Sequence, residues 1–287
     1  MLAISLTDLT KKYDKNRGIE QVNLSIEEGE FFGFIGPNGA GKSTTIRILL
    51  GLIRASGGRA EVFGHDVWKE HVTCLQSVGY LPSETYFYAS QTVQQVLQLA
   101  ARLRNADCGK QTERLCQQLQ LDTTRRVSEL SFGNRKKVGI VAAMQHQPRL
   151  LILDEPTSGL DPLMQHTFFH ILKEYNDAGT TIFMSSHILS EVQHNCTRAA
   201  IIREGQIVAC DSVEALIRTN AKKVSVRGTI DCSKLEGVAQ LQQLDDTTHF
   251  LYQGEISDLL HCLAKANVKD LIINEPNLED IFMHYYK

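Results

Sequence analysis

The chain has 287 residues, 43% of them hydrophobic and 22% charged, which indicates a folded protein with one large or two smaller domains. Its formal net charge of −3, from 30 basic and 33 acidic residues, excludes a general electrostatic attraction to nucleic acid or anionic membranes. No apolar run approaches the roughly 20 residues that span a bilayer, and no signal-peptide pattern is visible, so we expect any membrane role to come through a partner chain.

The predicted elements before residue 90 are mainly strands, and the next stretch is helical. Apolar runs between turn residues predict strands at residues 2–6, 21–26, 31–35 and 59–63. Apolar residues at helical spacing predict helices at residues 92–104, 112–121 and 134–147. The segment from about residue 85 to residue 148 is therefore expected to be helix-rich.

The later half alternates strands and helices until its pattern changes near residue 220. The apolar run at residues 150–153 is typical of a central parallel strand, and residues 180–185 and 199–203 predict two more, so the core is α/β. Further strands are predicted at residues 222–230, 248–253 and 268–273, with helices at residues 256–266 and 278–286. We predict a main domain of residues 1–218 and a small accessory α+β domain of residues 219–287.

Residues 36–44 match G-x-x-x-x-G-K-[ST], the pattern of phosphate-binding loops. The strand before it and the helical pattern after it favour this reading over a chance glycine-rich turn, because loop amides and a helix start together attract an anion. Lys42 is placed to reach the β- and γ-phosphates, and Ser43 to offer a hydroxyl to Mg²⁺. We expect the nucleotide to be bound by Gly36, Pro37, Asn38, Gly39, Ala40, Gly41, Lys42, Ser43 and Thr44.

Two carboxylates, Asp154 and Glu155, follow the central strand at residues 150–153. The carboxyl end of such a strand is where ligands bind in open α/β sheets. Asp154 is placed to hold Mg²⁺, and Glu155 to polarise the water that attacks a phosphoryl group. The alternative is a solvated acidic pair at the end of a strand.

Further segments make the chain resemble the ATP-binding-cassette (ABC) ATPases. Residues 130–134, Leu-Ser-Phe-Gly-Asn, resemble the family's signature motif, and residues 157–161, Thr-Ser-Gly-Leu-Asp, resemble its D-loop. His187 matches the switch histidine, and Tyr13 matches the aromatic residue that stacks on adenine. With the phosphate loop and the paired carboxylates, these segments follow in the family's order. The resemblance implies a P-loop ATPase core with a helical subdomain at about residues 85–148.

The resemblance also implies roles and partners. Ser131 and Gly133 would contact the γ-phosphate of ATP held by a second copy of the chain, or by a homologous ATPase, in a head-to-tail dimer. Asp161 would belong to the same nucleotide interface, and His187 would hold the attacking water with Glu155. Taken alone, Tyr13 could be an ordinary strand-end aromatic and His187 a core or capping histidine. ATP and Mg²⁺ are the implied ligands, an integral membrane permease is the implied partner, and nucleic acid is not expected.

Two positions depart from the family pattern. The usual signature is Leu-Ser-Gly-Gly-Gln, whereas Phe132 and Asn134 replace the first glycine and the glutamine here. Ser83 stands where the family normally has a glutamine that touches Mg²⁺ or the attacking water, and the neighbouring Glu84 could substitute for it. The aromatic residues at 86–88 predict either packing between subdomains or a groove for a cytoplasmic helix of the permease.

Residues 276–282, Pro-Asn-Leu-Glu-Asp-Ile-Phe, resemble the closing motif of ATPases for bacterial drug, bacteriocin and lipid-linked exporters. The resemblance therefore implies the ATP-hydrolysing subunit of an exporter, with peptide, drug or lipid-linked cargo, cytoplasmic and held at the inner membrane face by its permease. Two alternatives stay open, an importer ATPase subunit and a soluble ABC protein acting on ribosomes or DNA. The single phosphate loop and the lack of a coiled-coil arm or basic patch disfavour the latter.

Overall fold

The computed structural model describes residues 1–13, 18–217, 222–230 and 235–274. By its internal contacts the chain divides into two compact units, Met1–Asp211 and Ser212–Lys287. The domain boundary predicted between residues 218 and 219 falls outside the described ranges, as do the predicted helix at residues 278–286 and the closing motif. Across those ranges, no helix has the length and hydropathy needed to cross a bilayer.

The first unit contains two sheets and most of the helices. Its elements up to residue 81 are β1 (Leu2–Lys12), β2 (Gly18–Glu27), β3 (Phe31–Ile35), α1 (Lys42–Leu49), β4 (Gly57–Val62), β5 (His65–Asp66), α2 (His71–Gln76) and β6 (Val78–Leu81). Those that follow are α3 (Val93–Leu103), α4 (Gly109–Gln118), α5 (Phe132–Met144), β7 (Leu150–Asp154), α6 (Pro162–Asp177), β8 (Thr181–Ser186), α7 (Leu189–Asn195), β9 (Arg198–Arg203) and β10 (Gln206–Ser212). One sheet has the strand order β2-β1-β4-β5, and the other has the order β10-β9-β3-β8-β7-β6.

The larger sheet is built on strands that are apolar along most of their length. Strands β3, β7 and β8 are buried at every position. They pair in parallel with one another and with β6 and β9, the arrangement that continuous apolar runs favour. The ring of Phe183 lies 6.2 Å from that of Phe32 and 5.3 Å from that of Phe34, between centroids. The carboxyl ends of β3, β7 and β8 therefore meet at one edge of the sheet.

Helix α1 is held against both sheets by its apolar face. Ile46, Ile48 and Leu49 are buried and share one apolar cluster with Ile4 of β1 and Phe34 of β3. Burial of each such side chain contributes about 1.5–3 kcal/mol. The start of α1 is thus fixed at the sheet edge where β3 ends.

The predicted α/β core is confirmed, and its helices are observed with shifted ends. The helix expected at residues 134–147 is α5, which begins earlier because the Ser131 side chain accepts a hydrogen bond from Asn134 N at 3.3 Å and caps it. No sequence pattern predicted β5, α2 or β10. These elements are short or carry few buried residues, so they lack the apolar periodicity on which the predictions depend.

Gly33 lies in the middle of β3, and its missing side chain makes room for α7. A Cβ at this position would overlap Val192 Cγ1 and would lie 3.2 Å from Cys196 Sγ, and Val192 is fully buried. We expect Gly33→Ala to lower the free energy of unfolding by about 1–3 kcal/mol, because an overpacked core forces the helix away from the strand.

Urea denaturation measures this loss, and Gly57→Ala is the matched control. A Cβ at Gly57 would meet only Thr10 Cβ, at 3.9 Å, so the control should change the free energy of unfolding by less than about 0.5 kcal/mol. Equal losses in both variants would contradict the steric explanation.

The described residues of the second unit form one antiparallel sheet and two helices. Its elements are α8 (Val213–Ile217), β11 (Lys222–Thr229), β12 (Val238–Leu244), β13 (Thr247–Tyr252), α9 (Ile256–Lys265) and β14 (Asn267–Asn274), with the strand order β12-β13-β11-β14. Leu259 and Leu263 of α9 pack in a small apolar cluster with Val224, Val226 and Phe250 of the sheet. Three of its strands and α9 were predicted from the sequence. Strand β12 was missed because its exposed, glutamine-rich sequence gives no apolar pattern.

Candidate functional site

The connection between β3 and α1 is a glycine loop that opens into a cleft of about 370 Å³. Gly39 and Gly41 have φ angles of 84° and 115°, a region that favours glycine, and a Cβ at Gly41 would lie only 2.7 Å from Ile19 Cγ2. No side chain caps the start of α1. The first amides of this helix are therefore available to an anion, as in phosphate-binding loops. The cleft is lined by Tyr13, Gly18, Pro37, Asn38, Gly39, Gly41, Lys42, Ser43, Thr44, Ser83, Asp154 and Glu155.

Lys42 contributes a positive charge to the lining of the cleft. Its side chain is almost fully buried, and Nζ donates hydrogen bonds to Gly36 O at 2.5 Å and Pro37 O at 3.3 Å. The same nitrogen lies 3.3 Å from Glu155 Oε1. The ammonium is thus held over the loop, at the position from which a lysine reaches the terminal phosphates of a nucleotide.

Asp154 is the last residue of β7, and each oxygen of its carboxylate accepts a hydrogen bond. Asp154 Oδ1 accepts a hydrogen bond from Ser185 Oγ at 2.6 Å, and Oδ2 accepts one from Ser43 Oγ at 3.2 Å. The parallel register of β7 and β8 aligns Asp154 with Ser185 and explains the first contact. A hydroxyl beside a buried carboxylate is an oxygen-only donor set of the kind that Mg²⁺ takes with substrate phosphates. Ser43 and Asp154 therefore fit the predicted Mg²⁺ site.

Glu155 is held in a strained backbone conformation that directs its carboxylate into the cleft. Its φ is 48°, a left-handed value that costs a non-glycine residue about 1–3 kcal/mol, and its N–H donates to Ser185 O at 3.2 Å. His187 Nδ1 lies 2.5 Å from Glu155 Oε2. The other oxygen, Oε1, is buried and accepts no hydrogen bond from any described residue, although it is ion-paired with Lys42. Oε1 is thus the carboxylate oxygen whose hydrogen-bonding capacity the described residues leave unused.

Ten of the predicted site residues line this cleft. Gly36 and Ala40 belong to its loop, and His187 contacts Glu155, but none of these lines it. Three others lie elsewhere in the chain. Ser131 caps α5. Gly133 packs against the backbone of Gly159, and a Cβ at Gly133 would lie 2.7 Å from Gly159 O. Asp161 caps α6, with Oδ1 accepting from Met164 N at 3.0 Å. None of the three lines the cleft of its own chain.

Two peripheral site residues have different surroundings. Tyr13 lines the mouth of the cleft with 43% of its surface exposed, and Lys11 Nζ lies 5.3 Å from its ring centroid. Phe132 packs on Gly159 of its own chain and is 44% exposed.

Three polar residues that the sequence analysis did not select support the site. Ser185 binds Asp154, as described. Glu191 accepts hydrogen bonds from Thr157 Oγ1 at 2.6 Å and from Ser186 Oγ at 2.9 Å, and burial raises its pKa. This carboxylate joins the 157–161 loop to the residue before His187. Lys136 is buried in α5. For Ser185 the signal in the sequence was a polar side chain at the end of the apolar run of β8. Glu191 and Lys136 have polar neighbours in their helices, so no such signal marks them.

Comparisons with known proteins place the chain among ATP-binding proteins of one family. The sequence profile of a family described as ABC transporter matches residues 19–158. The chain is 37% identical to the bacitracin transport ATP-binding protein BcrA of Bacillus licheniformis, over 98% of this chain and 96% of that protein. It is 31% identical to the linearmycin resistance ATP-binding protein LnrL of Bacillus subtilis (strain 168), over 96% of each chain.

Solved structures give the same fold. The structure described as the ATP binding subunit of an ABC transporter superposes with a TM-score of 0.71 at 30% identity, over 75% of this chain and 92% of that chain. A dimeric bacterial ABC transporter cassette superposes with a TM-score of 0.66 at 22% identity, over 73% of this chain and 98% of that chain. The predicted fold class is thereby confirmed.

Proposed function

The chain belongs to the ABC transporter family of ATPases, and from that membership we propose that it is the ATP-hydrolysing subunit of an exporter with a separate membrane permease. The observation that carries the proposal is the cleft itself. It brings a buried lysine, a hydroxyl–carboxylate pair and a strained glutamate, one oxygen of which accepts no hydrogen bond, to the end of a glycine loop. These are the groups that phosphoryl transfer to water requires.

In this proposal each residue has a defined task. The loop amides and Lys42 bind the β- and γ-phosphates, and Ser43 and Asp154 hold Mg²⁺, which when bound offsets phosphate charge. His187 fixes one oxygen of Glu155, so that Oε1 orients and polarises the water that attacks the γ-phosphorus. The bond from the γ-phosphorus to the bridging oxygen breaks, and ADP and inorganic phosphate are released.

The residues that lie outside the cleft support a dimer. Ser131 is exposed at the start of α5, a helix of 13 residues, where backbone amides and the helix dipole favour an anion. We propose that Ser131 and Gly133 contact the ATP of a second copy or of a homologous ATPase. Asp161 would lie at the same interface, and two ATP molecules would be enclosed head to tail.

Exposed aromatics beside the cleft support a permease contact. Tyr86 and Tyr88 are 84% and 75% exposed, so the packing alternative is wrong for these two residues, whereas Phe87 between them is half-buried. They follow Ser83 of the cleft lining by a few residues. We propose that they form part of the surface that receives the permease, which would hold the chain at the inner membrane face.

The names of the relatives suggest the cargo. BcrA is named for bacitracin transport and LnrL for linearmycin resistance. We propose export of an antimicrobial peptide, a drug or a lipid-linked molecule. The test is co-purification with a candidate permease, followed by ATP-dependent transport into inside-out vesicles with bacitracin and linearmycin as separate cargoes. Transport in the opposite direction would favour an importer, and binding to ribosomes without a permease would favour the soluble alternative.

Substitutions of Ser83 test whether its side chain contacts the nucleotide. We expect Ser83→Gln, which restores the family's usual residue, to change the MgATP dissociation constant by less than about threefold, because the loop and Lys42 supply the phosphate contacts. Isothermal titration measures the affinity, with Ser83→Ala as the control. A tenfold or larger loss of affinity in Ser83→Ala would mean that the Ser83 hydroxyl contacts the nucleotide directly.

A further inference from the structure

Lys136 is a buried cation that the proposed reaction does not use. It lies in the second turn of α5 with 1% of its surface exposed, and it does not line the cleft. Its Nζ donates three hydrogen bonds, to Pro82 O at 2.9 Å, Ser83 O at 2.9 Å and Glu155 O at 3.1 Å. An ammonium has three donors, so these carbonyls use its full capacity.

The three acceptors come from two different segments of the site. Pro82 and Ser83 follow β6, and Ser83 lines the cleft. Glu155 follows β7 and carries the oxygen that we assign to water activation. Lys136 therefore joins the helix that begins at Ser131 to both segments through their main chains, at distances that leave no room for an intervening water.

Burial of this ammonium costs free energy that an apolar side chain would not cost. Burial lowers the pKa of Lys136 to about 8, and the nearby Asp154 and Glu155 carboxylates oppose that shift. A methionine of similar length would fill the same space without desolvation. Unlike a methionine, Lys136 does more than fill space in the core, because its hydrogen bonds select a particular arrangement of the three carbonyls.

The arrangement of carbonyls that Lys136 selects includes the carbonyl of Glu155, and it therefore affects the backbone conformation of Glu155. Its left-handed φ of 48° persists only if its neighbours hold it. The N–H of Glu155 is bound by Ser185 O at 3.2 Å, and its carbonyl is bound by Lys136. The N–H also donates to Ser185 Oγ at 3.3 Å, and the carbonyl also accepts a hydrogen bond from Ser158 N at 3.4 Å. Without Lys136, the carbonyl of Glu155 would keep only the longer of its two bonds, so the restraint on the direction of the carboxylate would be weaker.

We propose that Lys136 is a positioning residue for ATP hydrolysis, which holds the backbone of Glu155 and links it to α5 and to the segment at residues 82–83. The inference rests on the proposed function. In the dimer, α5 begins at the ATP of the partner subunit, whereas Glu155 serves the ATP of its own chain. Lys136 is then a direct mechanical connection, within one subunit, between the two nucleotide sites.

The test compares Lys136→Met with Lys137→Met, which removes the same charge from the next position of the same helix. We expect Lys136→Met to lower kcat by about 10- to 100-fold, a smaller effect than loss of a general base. KM and the MgATP dissociation constant should change by less than about threefold, because Lys136 does not line the cleft. Lys137→Met should retain kcat within about twofold. Wild-type kcat in Lys136→Met would overturn the inference.

A double-variant cycle separates positioning from a general structural role. If Lys136 acts through Glu155, then Lys136→Met should cost less than about threefold in a Glu155→Gln background. An equal loss in both backgrounds would overturn the inference. If Lys136→Met does not fold, Lys136→Gln retains two donors and replaces it in both arms. Absence of hydrolysis in the wild-type chain would instead refute the proposed function, so the two failures are distinguishable.

Discussion

Glu155→Gln is expected to lower the rate of ATP hydrolysis by about 10²- to 10⁴-fold, the contribution of a positioned general base. Glutamine keeps the shape of the side chain but replaces a carboxylate oxygen by an amide group, so water activation is lost. MgATP binding should persist because the loop, Lys42, Ser43 and Asp154 are unchanged. With hydrolysis blocked and ATP retained, the variant should accumulate as a dimer.

Phosphate release measures the rate, and size-exclusion chromatography with and without MgATP measures the dimer. Glu113→Gln is the matched control, since Glu113 is exposed on α4 and lies outside the cleft lining. The control should hydrolyse ATP at the wild-type rate. Undiminished hydrolysis in Glu155→Gln would remove Glu155 from its assigned role.

Lys42→Met is expected to weaken MgATP binding by about 30-fold or more. Loss of one partner from a buried charge contact costs about 2–5 kcal/mol, and each 1.4 kcal/mol is about tenfold in affinity. The ammonium is the side-chain cation that lines the described part of the cleft. Its removal also leaves the carboxylate of Glu155 without the partner at 3.3 Å, close to the phosphate site.

Isothermal titration with a non-hydrolysable ATP analogue measures this loss. Lys173→Met is the control, because Lys173 is exposed on α6. Thermal denaturation without nucleotide checks that both variants are folded. An affinity within threefold of wild type in Lys42→Met would show that the loop amides alone supply the binding energy.

The sequence predicted those parts of the site whose residues are neighbours in the chain. The glycine loop carries its own geometry, and Asp154 and Glu155 follow an apolar strand whose burial could be inferred from composition. Ser185 could not be assigned to the site, because its contact with Asp154 depends on the parallel register of β7 and β8. That register is a tertiary property.

The contacts of Lys136 could not be predicted from the sequence for a different reason. Its partners are main-chain carbonyls, which every residue possesses, so no pattern of side chains marks the positions that it binds. A lysine at a helical position suggests an exposed charge. Only the packing of α5 against residues 82–83 and the end of β7 turns it into a buried contact. Strand β12 was missed for a related reason, since its pairing with β13 is not reflected in an apolar pattern.

The ionised groups in and beneath the cleft have a further consequence for how nucleotide arrives. The ammonium groups of Lys42 and Lys136 are balanced by the carboxylates of Asp154 and Glu155, so these four side chains are together electroneutral. They offer no long-range field to steer a polyanion. Lys42 and the backbone dipoles of the loop then act on the nucleotide at contact, and we expect the nucleotide to carry its own counterion. For the proposed ATPase we therefore expect the magnesium complex of the nucleotide, and not the free tetra-anion, to be the form that binds.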